Sequence, residues 1–456
     1  MNNPKKWNPT GRTRGTIIVR LRQKIATARH PPRGHGFHLD EAHLRLPPPV
    51  KPVVPGGGGW KKARSLFSFS AFHFLDDGFT DSIYLLLPFI AAELRLSFSQ
   101  VGLLKGVFSG SVGLLQVPLS LLAEKIGELT VIGLGTFGLT AGFLILSRVS
   151  TFPAILLSLI FSKGTSAGQH GLSSSLLSKA FEFSRRRAAM GTYNFSGDLG
   201  KVCLPFLLTV LINLWGWREA VLTLSLAGMV GGAGLWILAG EGREHLPLTQ
   251  VGEGLKLKVS GWGIGNRRRF SALLTIGIID ISTRTAMLTF LPFLLLQKGI
   301  SAGQVGFAIT LLFAGGATGK LFCGLLAEWF GVVPMVIATE VFTAAGILSL
   351  NFSSVPTIWI LLPFVGIVLN GTSSVLYATV AEIVAPAARS RGYGLYYAIT
   401  LGCGAVSPML YGLLTDSLGL SVTIVTTALM VLLTLPLSQY LSRPGTPSSS
   451  PAEKSR

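Results

Sequence analysis

Twelve stretches of largely apolar sequence, each about 20 residues long and so able to cross a bilayer as a helix, follow one another between Leu66 and Leu441. They start near Phe67, Ser99, Glu128, Phe152, Ala188, Trp217, Phe270, Ala302, Val332, Pro356, Ser390 and Leu420. Hydrocarbon offers no hydrogen-bond partners, so each stretch must satisfy its own backbone, which makes it helical. The predicted fold is therefore an all-α membrane protein with 12 transmembrane helices. Composition agrees: 13% of the 456 residues are charged, against about 25% in soluble domains. The 55 glycines suit close helix packing in lipid. An ordinary soluble enzyme, a disordered chain and a coiled coil are excluded.

The formal charge of +19 would suit a nucleic-acid binder if it were spread over the chain, but it is not. Residues 1–65 carry 14 Lys/Arg and 2 Asp/Glu, or +12, and the other 391 carry 25 and 18, or +7. Residues 1–65, rich in Pro, Gly, Arg and His, hold no lasting apolar face and read as a disordered basic cytoplasmic arm. Contact with nucleic acid or anionic lipid is the sharper alternative, but nucleic acid is not an expected partner. The arm lacks the apolar core and cleavage site of a secretory signal. A polar linker, 241–269, divides the body into six-helix bundles at 66–240 and 270–441, and 442–456 reads as a disordered tail.

Loop charge sets the orientation. With the N-terminus inside, the inner loops and C-terminal tail hold 16 Lys/Arg beyond the arm, whereas the outer loops hold only Arg95, Arg148, Arg218 and Lys298. Both termini are thus expected to be cytoplasmic, in the cell membrane. The expected partners are the bilayer and a small-molecule substrate, and the expected state is a monomer. Cys203, Cys323 and Cys403 lie inside apolar stretches without disulfide or metal-ligand spacing, so no metal is expected.

The two halves repeat. Shifted by 204 residues, Asp76–Gly127 falls on Asp280–Gly331 without a gap and with 13 identities in 52 positions. Leu87-Pro88-Phe89 meets Leu291-Pro292-Phe293, Gln100-Val101-Gly102 meets Gln304-Val305-Gly306, and Leu121-Leu122-Ala123-Glu124 meets Leu325-Leu326-Ala327-Glu328. With a shift of 203, Gly191 and Tyr193 meet Gly394 and Tyr396, and Pro205 meets Pro408. Duplication of a helical unit is a transporter signature, because two similar halves can rock about a site between them.

At these residues the chain resembles the major facilitator superfamily. Ser120, Glu124, Lys125 and Gly127 between spans two and three, and Gly324, Glu328 and Gly331 between spans eight and nine, stand where that family carries its gating loops. Glu128 and Leu129 replace later basic positions and Trp329 replaces another, which implies a weaker salt-bridge latch. Within the superfamily, His73-x-x-Asp76-Asp77, Leu87-Pro88, Leu96-Ser97-Phe98-x-Gln100-Val101-Gly102, Gln169-His170 and Asn194-Phe195 resemble fosmidomycin-resistance-type drug-efflux permeases. The resemblance implies two pseudo-symmetric six-helix bundles (the major facilitator fold) and alternating access.

Ionisable side chains inside a membrane span are costly, so each is a candidate for function. His73, Asp77, Asp81 and Tyr84 recur every three or four residues on span one, with Asp76 beside them. Lys163, Ser166, His170 and Ser174 repeat the pattern on span four, and Asn194, Asp198 and Lys201 on span five. Asp280 and Arg284 follow on span seven, Asn370 and Tyr377 on span ten, and Tyr397 on span eleven. Such stripes imply a central aqueous cavity. Adjacent carboxylates with a third one turn on repel one another, so Asp77 and Asp76, with His73 and Asp81, are the candidate proton relay. Lys163, His170, Asn194, Asp198, Lys201, Asp280, Arg284, Asn370, Tyr377 and Tyr397 are the candidate substrate residues. Asp198–Lys201 and Asp280–Arg284 are equally readable as structural pairs within one helix. Lys105 either lines the cavity or snorkels to the outer headgroups, and Lys320 poses the same choice near the inner face.

No nucleotide, zinc or Ser/His/Asp motif appears, and Gly315–Lys320 lies inside a span without the phosphate-loop pattern. No enzyme and no cofactor are expected. The energy source would be an ion gradient, protons first. The leading expectation is proton-coupled efflux of a small organic molecule or drug. The alternatives are a proton-coupled symporter importing an organic anion or metabolite, and a non-transporting membrane sensor.

Overall fold

A computed structural model describes residues 58–181, 183–240, 262–385 and 388–442. Most of the basic arm, residues 241–261 of the linker and almost all of the tail lie outside them. The fold is almost wholly helical: α1 (Gly58–Leu94), α2 (Phe98–Ile126), α3 (Glu128–Leu146), α4 (Phe152–Thr165), α5 (Gln169–Ala180), α6 (Phe183–Trp215), α7 (Trp217–Gly240), α8 (Arg267–Gln297), α9 (Ala302–Phe330), α10 (Val332–Phe352), α11 (Val355–Ile383), α12 (Arg389–Leu418), α13 (Leu420–Val431) and α14 (Thr434–Ser438). Helix α1 opens inside the segment read as the arm. The end of the linker docks by one antiparallel bridge, Ile264 to Val384.

Among the described residues, ten helices are long and apolar enough to cross a membrane. The stretch Leu420–Leu441, which contains α13 and α14, is one of them. Helix α1 is outside that group because Asp76, Asp77 and Asp81 interrupt its middle. Span four is outside it because it breaks into α4 and α5, where a single helix was expected. At the break Ala167 N donates to Gly164 O (3.3 Å) and Gln169 N to Ser166 O (2.9 Å), so the chain tightens to three-residue turns. Ser162 Oγ leaves its own helix to donate to Leu139 O of α3 (2.8 Å). Lys163 and His170 therefore sit on separate helices rather than along one stripe.

The repeat is visible in the packing. Pro88 and Pro292 lie inside α1 and α8, and Pro205 and Pro408 inside α6 and α12, where each removes a backbone donor and bends the helix. Ser97–Gln100 and Ser301–Gln304 form capping boxes at the starts of α2 and α9.

Two cross-bundle helix pairs, α2 with α12 and α6 with α9, converge at the end that the sequence assigns to the outside. Gly102 of α2 backs onto the Pro408 carbonyl and Met409 of α12, with no room for a Cβ, whereas a Cβ at Gly113, three turns on, would meet nothing. Asp416 at the end of α12 caps the start of α2, accepting from Phe98 N (2.8 Å) and Ser99 N (2.9 Å). Asn213 at the end of α6 donates to Gly303 O at the start of α9 (3.1 Å). The core follows the same division. One apolar cluster at the convergent end takes residues from both bundles, including Leu87, Leu104, Leu291 and Ile309. At the linker end there are two clusters instead, around Phe72 and Ile132 in the first bundle and around Leu273 and Val380 in the second. The molecule is thus shut at one end and parted at the other.

Candidate substrate and proton site

The polar face of α1 packs against α4, α5 and α6 of the first bundle. Asp76 and Asp77 are buried, 1% and 7% exposed, and each is met by a lysine from another helix. Lys163 Nζ of α4 donates to Asp76 Oδ2 at 2.9 Å, and Lys201 Nζ of α6 stands 3.1 Å from Asp77 Oδ2. The two carboxylates are therefore neutralised, not left to repel one another. The same contacts pair Lys163 and Lys201, two of the candidate substrate residues, with the α1 carboxylates. His73 completes the group. Its Nδ1 is 2.7 Å from the Tyr193 carbonyl oxygen of α6, and its Nε2 is 3.3 Å from Asp77 Oδ2. His170 of α5 places Nε2 3.5 Å from both Asp76 Oδ2 and Asp77 Oδ1, with its side chain 48% exposed. His73, Asp77 and His170 could supply three donor atoms to one metal ion. Lys201 already holds Asp77 and Lys163 the adjacent Asp76, so a divalent cation would meet two ammonium groups.

Lys201 also lies 3.8 Å from both Asp81 and Asp198, so Asp198–Lys201 is not a closed pair within one helix. Asp198 instead bonds Lys320 of α9, an ion pair that crosses between the bundles. Lys320 thus turns inward rather than to the membrane surface. Lys105 does the same: it is 3% exposed, donates to Ser109 Oγ at 2.6 Å and lies 4.6 Å over the Tyr84 ring. A cation held by a hydroxyl and a π-face is stabilised less than one held by a carboxylate. Arg284 of α8 is surrounded by Tyr377, Asp280 and Tyr84. Among the described residues, neither Lys105 nor Arg284 forms an ion pair with a carboxylate.

The remaining candidates divide. Tyr377 and Tyr397 approach at 5.1 Å and Tyr393 donates to Tyr377 O, which makes an aromatic wall on the second bundle. Asn370 is buried and spends its amide on Gly366 O of its own helix (3.2 Å). Asn194 is exposed, and Asp280 is buried. Glu340 of α10 is 1% exposed, and its Oε1 finds no hydrogen-bond partner among the described residues. In the gating-loop segments Glu124, Lys125 and Glu328 are exposed at the parted end, while Gly127 and Gly331 turn the chain at φ 95° and 88°. Glu128 holds Lys179 (2.8 Å) and Ser175 (2.7 Å) within the first bundle. Two partners were not foreseen from sequence, the Tyr193 carbonyl and the Tyr84 ring beneath Lys105. A backbone carbonyl carries no sequence signal at all.

The comparisons with known proteins agree with this architecture. Residues 66–298 and 272–456 match the family profile described as Major Facilitator Superfamily. The "Probable L-galactonate transporter" of Escherichia coli (strain K12) is 25% identical over 262 residues, which are 54% of this chain and 58% of that protein. The "Fosmidomycin resistance protein" of the same organism is 22% identical over 80% of this chain and 91% of its own length. Among solved structures, a bacterial homolog to the human lysosomal transporter Spinster, in inward-facing and occupied conformation, superposes with TM-score 0.74 at 15% identity, covering 84% of this chain and 97% of that one. The nucleoside transporter NupG gives TM-score 0.67 at 12% identity, over 83% and 98%. With both halves matched by the profile and the fold shared with solved members, this chain belongs to the Major Facilitator Superfamily and is a multi-pass membrane protein of a family of secondary transporters.

Proposed function

We propose that the protein is a proton-coupled secondary transporter that moves a small organic molecule by alternating access. Helix α1 and the broken pair α4–α5 complete 12 spans, and loop charge puts both termini in the cytoplasm of a cell whose plasma membrane holds the protein. The parted end then faces inward. The observation that carries the reading is the Asp76–Asp77–His73–His170 group of the first bundle, buried but for the His170 side chain, in a molecule whose two bundles are closed at one end. Titratable groups within a membrane are retained where they serve ion or substrate pathways, and His170 gives this one contact with solvent.

Drug efflux by antiport fits the relative that confers fosmidomycin resistance. Import of an organic anion by symport is the second reading, favoured by Lys105 and Arg284, two cations that form no close ion pair with a carboxylate among the described residues, although Asp81 and Asp280 stand in their surroundings. Proteoliposomes that enclose a pH-sensitive dye separate the two. Fosmidomycin and L-galactonate are the first probes, because the relatives are named for them. Adding a transported probe outside should make the lumen more alkaline under antiport and more acid under symport. A probe flux that leaves lumenal pH unchanged and survives a protonophore would overturn the coupling.

A further inference from the structure

We infer that the coupling proton sits on His73 Nε2, shared with Asp77, and exchanges with the open side through His170. The inference rests on the proton-coupled reading and deepens it. The Tyr193 carbonyl oxygen can only accept a hydrogen bond, so His73 Nδ1, 2.7 Å away, carries a hydrogen. In a neutral imidazole that leaves Nε2 bare. Yet Nε2 faces Asp77 Oδ2 at 3.3 Å, and a lone pair against a carboxylate oxygen repels. The contact is attractive only with a second proton between the two atoms, and with the Lys201 ammonium 3.1 Å from the same Asp77 oxygen keeping the carboxylate ionised, that proton belongs on Nε2.

Its neighbours hold the plane of the ring. It stacks on Tyr193 at 4.1 Å and meets His170 edge-on at 4.8 Å. Its third neighbour is Gly197, where a Cβ would strike both the imidazole and Asp77. The charged and titratable groups around it are Asp76 and Asp77 of α1, Lys163 of α4, His170 of α5, and Tyr193 and Lys201 of α6. With His73 doubly protonated, Asp76, Asp77, Lys163, Lys201 and His73 sum to one positive charge. Loss of the Nε2 proton brings the sum to zero and turns the His73–Asp77 contact repulsive. Arrival or departure of a proton is thereby felt within α1, where His73 and Asp77 stand four residues apart, and at Lys201 of α6, which shares Asp77. The route outward is short: the second oxygen of Asp77 lies 3.5 Å from His170 Nε2, and the His170 side chain is about half exposed.

The test is nitrogen-15 NMR of the full chain in lipid bilayers, with labelled histidine and without substrate. His73→Asn identifies the His73 signals among the seven histidines. The expected result is two N–H nitrogens on His73 at mildly acid pH, converting at alkaline pH to one tautomer with hydrogen on Nδ1 and a bare Nε2. In Asp77→Asn the single Nδ1–H tautomer should already dominate at neutral pH. A bare Nδ1 at any pH, or a neutral ring at every pH, would overturn the inference. Added Zn2+ should leave the spectrum unchanged. Joint displacement of the His73 and His170 Nε2 signals by zinc would overturn it in favour of a metal site. Failure of the inference is separable from failure of the coupled reading: a dye assay that still reports proton movement while His73 stays neutral places the proton elsewhere.

Discussion

Asp77→Asn is expected to lower pH-gradient-driven transport by about a hundredfold, equivalent to about 2.7 kcal/mol, while the protein still folds. The asymmetry of the two aspartates explains why. Asp77 is shared by His73, Lys201 and His170, and Lys201 keeps Asp81 and Asp198 at 3.8 Å when Asp77 loses its charge. No buried cation is left stranded, so the loss is one of coupling. Exchange of substrate between equal compartments should persist in this variant, and accumulation against a gradient should not. Wild-type accumulation in Asp77→Asn would remove Asp77 from the mechanism. Asp76→Asn should behave differently. Lys163, 5% exposed, would lose its carboxylate, and breaking a buried pair from one side costs about 3–5 kcal/mol. A fall in thermal stability, measured in detergent, is the expected outcome for Asp76, and unchanged stability would mean that Lys163 finds another partner.

Gly102→Leu should produce the other large effect, on conformation instead of chemistry. The helix contact between α2 and α12 exists because Gly102 has no Cβ to meet the Pro408 carbonyl. A leucine there must push the helices apart at the closed end. Overpacking of this kind costs about 1–3 kcal/mol, and about 2 kcal/mol shifts a two-state population roughly thirtyfold. The state opened at this end gains what the closed state loses. A single cysteine at Ile309, 0% exposed here, in a chain freed of Cys203, Cys323 and Cys403, reports the change. Its labelling by an impermeant thiol reagent from the outer side should accelerate at least tenfold with Gly102→Leu. An unchanged rate would mean that α2 and α12 part as easily as they meet.

Much of this architecture was legible because it is written in periodicity and length. Apolar runs give the spans, and collinear identities such as Gln100-Val101-Gly102 with Gln304-Val305-Gly306 give the two bundles. The candidate site was legible as a set of residues but not as a set of partners. Spacing along one helix suggested Asp198 with Lys201, which stand 3.8 Å apart, but could not show that Asp198 also bonds Lys320 of the other bundle. Lys163 and Lys201 looked available for a substrate, but tertiary packing brings both onto the α1 aspartates. Lys105 was readable as snorkelling or inward, and only the position of the Tyr84 ring decides for inward. The break at Ser166 escaped because Lys163, Ser166, His170 and Ser174 keep a helical spacing across it.

The two contacts that shut the outer end stand at matching places in the repeat. Asp416 and Asn213 are 203 residues apart, and each meets the first residues of a helix in the opposite bundle. One carries a charge against the partial positive end of a helix, and the other is a neutral amide bonding a carbonyl. Electrolyte weakens the first and barely touches the second. A molecule with near twofold symmetry therefore has a lopsided clasp, and the ionic strength of the surroundings decides which side loosens first.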